Sequence, residues 1–131
     1  MKRSIVLFFL FILLMAGCSK KPTQRTDSLL RIQWETRESS YEKVYLTLVR
    51  VMAWQPKEDM AIGIDYRVVH LNAFDQVEEL KEGLYLVQGY MPLILIFTHP
   101  DSIGPTFEYR FTLIEVANER EIETKSGTYK P

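Results

Sequence analysis

From Leu29 onward the apolar residues recur mainly at every second position, a spacing that suits strands with one buried face and does not suit helices. Leu30, Ile32 and Trp34 alternate with Arg31, Gln33 and Glu35, and the polar run Arg37–Ser40 closes this first strand. Tyr41–Trp54 is the longest candidate strand. Its large apolar residues Val44, Leu46, Leu48, Met52 and Trp54 predict the core face, interrupted by Arg50, and put Tyr41, Lys43, Tyr45, Thr47 and Val49 on the outside. Ile62, Ile64, Tyr66 and Val68 share a face opposite Asp65 and Arg67, and Phe107, Tyr109, Phe111 and Leu113 do the same opposite Glu108, Arg110 and Thr112. Leu84–Tyr90 forms a further strand. The unbroken run Leu93–Phe97 predicts a central strand buried on both faces. Arg120–Thr124 pairs back as a short last strand, with 126–131 as a frayed tail. Turn composition separates these segments, most clearly at His99–Pro105 with its two prolines and glycine. The expected fold is mainly β, a single small antiparallel β-sandwich of about seven strands over residues 29–125.

One stretch, 72–82, reads two ways. As a short helix it has Asn72 for an N-cap, Ala73, Val77 and Leu80 for an apolar face, and Gly83 at the C′ position. As sheet, Phe74, Val77 and Leu80 followed by Gly83, Leu84, Tyr85, Leu86 and Val87 resemble the strand, turn and Gly-x-Tyr-x-Val stretch of transthyretin-like (prealbumin-like) sandwich domains. That resemblance implies a sandwich in which a leucine plugs one end of the core.

The first residues carry a different signal. Lys2 and Arg3, the apolar run Ile5–Leu14 and the small pair Ala16, Gly17 have the parts of a signal peptide, and the run is shorter than the roughly 20 residues needed to span a bilayer. Because Cys18 follows directly, the segment 1–18 resembles the lipobox signal of bacterial lipoproteins, with Met15 where leucine is usual. The resemblance implies removal of residues 1–17, acylation of Cys18 by palmitate-type chains, and attachment to the cell membrane or outer membrane of the envelope. In the proteobacterial members, Ser19 after the cysteine favours the outer membrane. Residues 18–28 then form a lipidated terminus and tether, since Ser19–Asp27 has no large apolar residue and contains Pro22.

Without Lys2 and Arg3 the chain has 14 basic and 17 acidic side chains, a formal charge of −3, which argues against nucleic acid as a partner. Cys18 is the single cysteine, so no internal disulfide and no cysteine metal site exist, and the sequence implies no cofactor. The two histidines, His70 and His99, lack the local spacing and the third ligand of a zinc site. His99, Asp101 and Ser102 are too close in a turn to form a nucleophile, base and orienting acid, and hydrogen bonding within the turn accounts for them. The glutamates at 78, 79, 82, 115, 119, 121 and 123 fall on polar turns, as a solvated rim does. Tyrosine and tryptophan are the surplus, being more than one small core encloses. Tyr41 and Tyr45, flanking Lys43 on the expected outer face, are the candidate partner-binding residues. The sequence therefore predicts no catalytic residue, and an envelope module that binds or scaffolds another protein close to the membrane. A carrier of a lipid or other apolar ligand is the alternative.

Overall fold

The computed structural model describes residues 28–40, 43–100 and 103–131. The expected leader, Cys18 and the tether lie outside the described residues, as do Tyr41, Glu42, Asp101 and Ser102. Seven strands form: β1 (Leu30–Glu38), β2 (Tyr45–Ala53), β3 (Ile62–Leu71), β4 (Val77–Leu86), β5 (Leu93–His99), β6 (Thr106–Glu115) and β7 (Arg120–Tyr129). They make a three-stranded sheet in the order β1-β2-β5 and a four-stranded sheet in the order β4-β3-β6-β7, with every neighbouring pair antiparallel. The β-sandwich expected from the alternation is the fold found. The odd strands begin, and the even strands finish, at the end where Ser28 lies, here called the proximal end. The distal end holds the β1–β2, β3–β4 and β5–β6 connections.

The core forms where the inward faces meet. Leu30, Val49, Val51, Leu93, Leu95 and Phe97 from the smaller sheet pack on Ile62, Ile64, Val68, Phe107, Phe111 and Leu113 from the larger one. Phe97 and Phe107 meet at 5.1 Å between ring centres, the tilted arrangement that aromatic pairs prefer. At the β1 and β7 edges Trp34 stacks on Tyr129 at 4.6 Å and 8° and packs against Tyr109, leaving its indole N–H buried without a partner among the described residues. At the other flank, Lys81 on edge strand β4 points inward, with Nζ 5.4 Å above the Phe97 ring and 2.9 Å from Glu79 Oε2. A charge turned inward at an edge resists pairing with a foreign strand.

Four expectations need correcting. First, β2 is inverted: Thr47, Val49 and Val51 are buried, while Leu46, Leu48 and Met52 lie on the outer face with Arg50. The charge decides this, because Arg50 sits mid-strand on the face with the larger side chains, and burying it unpaired costs more than leaving leucines half exposed. Second, β5 is an edge strand, with Leu93, Leu95 and Phe97 inward and Ile94 and Ile96 outward and exposed. Across the ladder Ile96 pairs with Leu48 and Ile94 with Arg50, so the outward isoleucines extend a partly covered apolar strip. Third, 72–82 contains no helix. Asn72 Oδ1 accepts from Phe74 N (2.8 Å), the amide two positions on that a capping residue also takes, and from Gln76 N (3.0 Å), and the two bonds close the β3–β4 turn. Gly83 lies mid-strand with the Tyr66 ring over it, 3.0 Å from a built Cβ to the Tyr66 hydroxyl, rather than at a helix end. Leu80, the residue the transthyretin-like resemblance would make a plug, faces outward. Fourth, Ser126–Tyr129 belong to β7, where Tyr129 pairs with Phe107.

The inward and outward positions of β5 make a direct contrast. Leu95→Asp should lose several kcal/mol of a total of about 5–15 kcal/mol, because it buries an unpaired carboxylate. Ile94→Asp, opposite Arg50 and open to solvent, should stay within about 1 kcal/mol of the parent. Urea unfolding midpoints of the two variants check this; equal losses would contradict the edge placement.

Candidate functional site

At the distal end the seam between the sheets finishes in two histidines. His70, on the last turn-ward stretch of β3, and His99, closing β5, are each 4% exposed, with ring centres 5.6 Å apart. His70 stacks on Phe107 at 4.7 Å and 15°, and His99 lies between Phe107 (5.9 Å) and Tyr45 (6.2 Å, 16°). The Nε2 atom of His99 is 2.7 Å from the Thr47 hydroxyl. The chain of polar groups continues from Thr47 to Thr36 (2.9 Å) and from Thr36 to the Tyr129 hydroxyl (3.4 Å), so it crosses from β5 through β2 and β1 to β7. This chain accounts for the burial of Thr47, a polar residue with no exposure, since its hydroxyl is satisfied within the core.

Above the pair opens a cleft of about 460 Å³. His70 and His99 form its floor, Glu78 and Glu79 one rim, and Ala73, Pro100, Gly104 and Pro105 part of its walls. Phe74 and Ile103 flank its mouth, 82% and 80% exposed. Two local devices hold these walls. The Asn72 side chain fixes the β3–β4 turn and also donates from Nδ2 to Glu78 Oε2 (2.9 Å), steering that carboxylate. Gly104, at φ 109°, brings the β5–β6 connection against Ala73, with 3.0 Å between a built Cβ and the alanine methyl. Any side chain there would be strained by the backbone and would press on Ala73.

Burial lowers the pKa of His70 below its ordinary value, and a charge on His99 pushes the same way, while Glu78 and Glu79 oppose both. The cleft thus offers the His70 imidazole at its floor, carboxylates at one side and apolar anchors at the mouth. Among the described residues no three of His, Cys, Asp or Glu gather into a set able to hold a metal ion.

Of the residues singled out in the sequence, Lys43 is exposed at φ 55° in the β1–β2 connection, at this same distal end. Tyr45 is half-buried on the inward face and backs His99, so it is not on an outward stripe with Lys43. Its outward placement followed from the inverted reading of β2 and is corrected with it. Tyr41 and Cys18 lie outside the described residues. The sequence names His70 and His99 only as a pair that lacks a third metal ligand, and it does not mark Phe74 or Ile103 as exposed anchors. The available signal was that both histidines end apolar strands whose neighbours point the same way along the sandwich, which brings them together once the sheets are stacked.

No family model matches the sequence, and no curated protein matches it. Among solved structures, a Bordetella pertussis protein provisionally described as ApaA is 12% identical, with a TM-score of 0.49 over 77% of this chain and 90% of that one. A structural-genomics target, SoR45, is 10% identical, with a TM-score of 0.47 over 78% and 85%. Similarity at this level carries no argument about activity or partners.

The histidine environment predicts a pH effect with a definite sign. With the folded-state pKa of His70 below the unfolded value near 6.5, the two states bind protons equally well above pH 7. As pH falls through 6.5 the unfolded chain takes up a proton first, so stability drops until the folded pKa is passed. His70→Gln should flatten the fall in melting temperature between pH 7.5 and pH 5.5, measured by thermal circular dichroism; an unchanged fall would contradict the burial argument.

Proposed function

We propose that this chain is a lipid-anchored lipoprotein of the cell envelope, attached to the cell membrane or outer membrane through acylated Cys18 and facing the periplasm or the exterior. Its sandwich acts as a non-catalytic binding module that engages another envelope protein through the distal cleft. The observation that carries this reading is the position of the cleft, at the end opposite Ser28, with Phe74 and Ile103 presented at its mouth. A chain tethered through the residues before Ser28 holds that mouth away from the lipid, where a protein partner can reach it. Large exposed apolar side chains around a recess have the make-up of interface anchors, since burying each removes a large area from water at small rotamer cost. The closed seam supports a binding module over a carrier. Phe97, Phe107 and Phe111 are fully buried and fill the space between the sheets that an apolar ligand would occupy.

Two variants test the halves of this reading. Cys18→Ala should abolish incorporation of labelled palmitate and release the protein from sedimented membranes, because lasting attachment depends on the acyl chains. Continued labelling of that variant would refute acylation at Cys18. Phe74→Ser with Ile103→Ser should change the melting temperature by no more than a few degrees, both positions being exposed, yet remove the protein's crosslinked partner in intact envelopes. An unaltered crosslinking pattern would place recognition elsewhere.

A further inference from the structure

The proximal end carries exposed side chains that neither the core nor the cleft uses. Trp54 follows β2 directly and is 36% exposed, held by its amide donating to Leu29 O (2.9 Å). Tyr90 and Met91, 83% and 65% exposed, ride the turn between β4 and β5. That turn is built to present them. The Met91 amide donates to Gln88 O (3.2 Å), Gly89 takes φ 60°, and the hydroxyl of half-buried Tyr85 donates to Met91 O (3.0 Å) from behind. Trp54 and Tyr90 border one recess at this end.

The same end is where the chain leaves the fold. The Glu123 carboxylate on β7 accepts hydrogen bonds from the Ser28 hydroxyl, the Leu29 amide (2.9 Å) and the Leu30 amide (3.2 Å). Burial raises the Glu123 pKa, but these three donors, with Lys125 nearby, hold it below the ordinary value, so the clamp is charged at neutral pH. Only nine residues, Ser19–Asp27, separate Ser28 from Cys18. They reach roughly 35 Å when stretched and about 16–19 Å as a coil.

We infer that the proximal end rests on the surface of the bilayer that holds the chain, with Trp54, Tyr90 and Met91 seated among zwitterionic headgroups. This rests on the acylation of Cys18 proposed above. A short tether leaving at this end turns it toward the lipid. Tryptophan and tyrosine suit that layer because their rings are apolar in body and polar at the edge. The turns themselves favour a zwitterionic layer: Lys57 stands against Glu58, Asp59 and Glu119, with Arg120 paired to Glu115, while the cations Lys20, Lys21 and Arg25 belong to the tether.

The test uses the full chain produced with its own leader, purified in detergent from envelopes and reconstituted in phosphatidylcholine and phosphatidylethanolamine vesicles with and without bromine on the acyl chains near the headgroups. Flotation reports attachment and tryptophan emission reports contact. Expected is co-flotation, with emission quenched by brominated lipid in the parent and not in Trp54→Phe, whose remaining Trp34 packs in the sandwich. Tyr90→Ser with Met91→Ser should reduce the quenching while leaving flotation intact. A floating protein whose emission bromine does not touch overturns the contact alone and leaves acylation standing. Quenching that persists in Trp54→Phe overturns the contact as well, since it would arise away from this end. A protein that does not float overturns the acyl attachment and the contact that rests on it.

Discussion

The structure depends on the seam between the two sheets, where each strand must supply one face free of unpaired charge. Twelve buried apolar side chains close that seam, with Phe97, Phe107 and Phe111 its largest members. At roughly 25 cal/mol per Å² of apolar surface removed from water, burial of this kind is the main favourable contribution to a chain with no disulfide. Every other feature is placed by it. Thr47 is forced inside because Val49 and Val51 are, and it is tolerable there because His99 and Thr36 lie within hydrogen-bonding distance. His70 and His99 are buried because the seam runs up to them, and their burial gives the cleft its floor.

Much of this was legible in the residues, and the exceptions share a cause. β1, β3 and β6 have one face of charge and one of bulk, so alternation assigns their faces without ambiguity, and the structure agrees at Ile32, Val68 and Phe111. β2 and β5 carry apolar side chains on both faces. Size then misleads in β2, where the decisive residue is Arg50, and continuity misleads in β5, where Ile94 and Ile96 cover an outer strip instead of a second core. Asn72 illustrates a different limit, since one side-chain oxygen accepting nearby amides serves a helix start and a tight turn alike. The C-terminal part of β7 looks like a tail because its strand residues Lys125, Ser126 and Gly127 are polar or small, yet Tyr129 reaches Trp34. The cleft shows in the sequence only as two histidines that end apolar strands, because His70 and His99 meet through the stacking of two sheets.

The two ends of the sandwich differ in kind. Distally, a recess with imidazoles, carboxylates and exposed apolar side chains offers several ways to hold a partner's surface. Proximally, aromatic residues sit on hydrogen-bonded segments beside the clamp that Glu123 makes on Ser28, Leu29 and Leu30. The odd strands run away from Ser28 and the even strands run back, so among the described residues the two ends are joined through the sheets themselves. Attached through Ser28, as proposed above, a body of this form would turn its distal cleft away from the lipid.

That end-on presentation is the central claim, and spin labels at two positions test it most directly. Cysteine replacing Tyr90 and cysteine replacing Phe74, each labelled in the membrane-attached protein, are compared for collision with dissolved oxygen, which concentrates in lipid, and with a water-soluble nickel complex. The account predicts that the label at 90 is relaxed mainly by oxygen and the label at 74 mainly by nickel. Equal accessibility to nickel at both positions, or the reverse order, would contradict it.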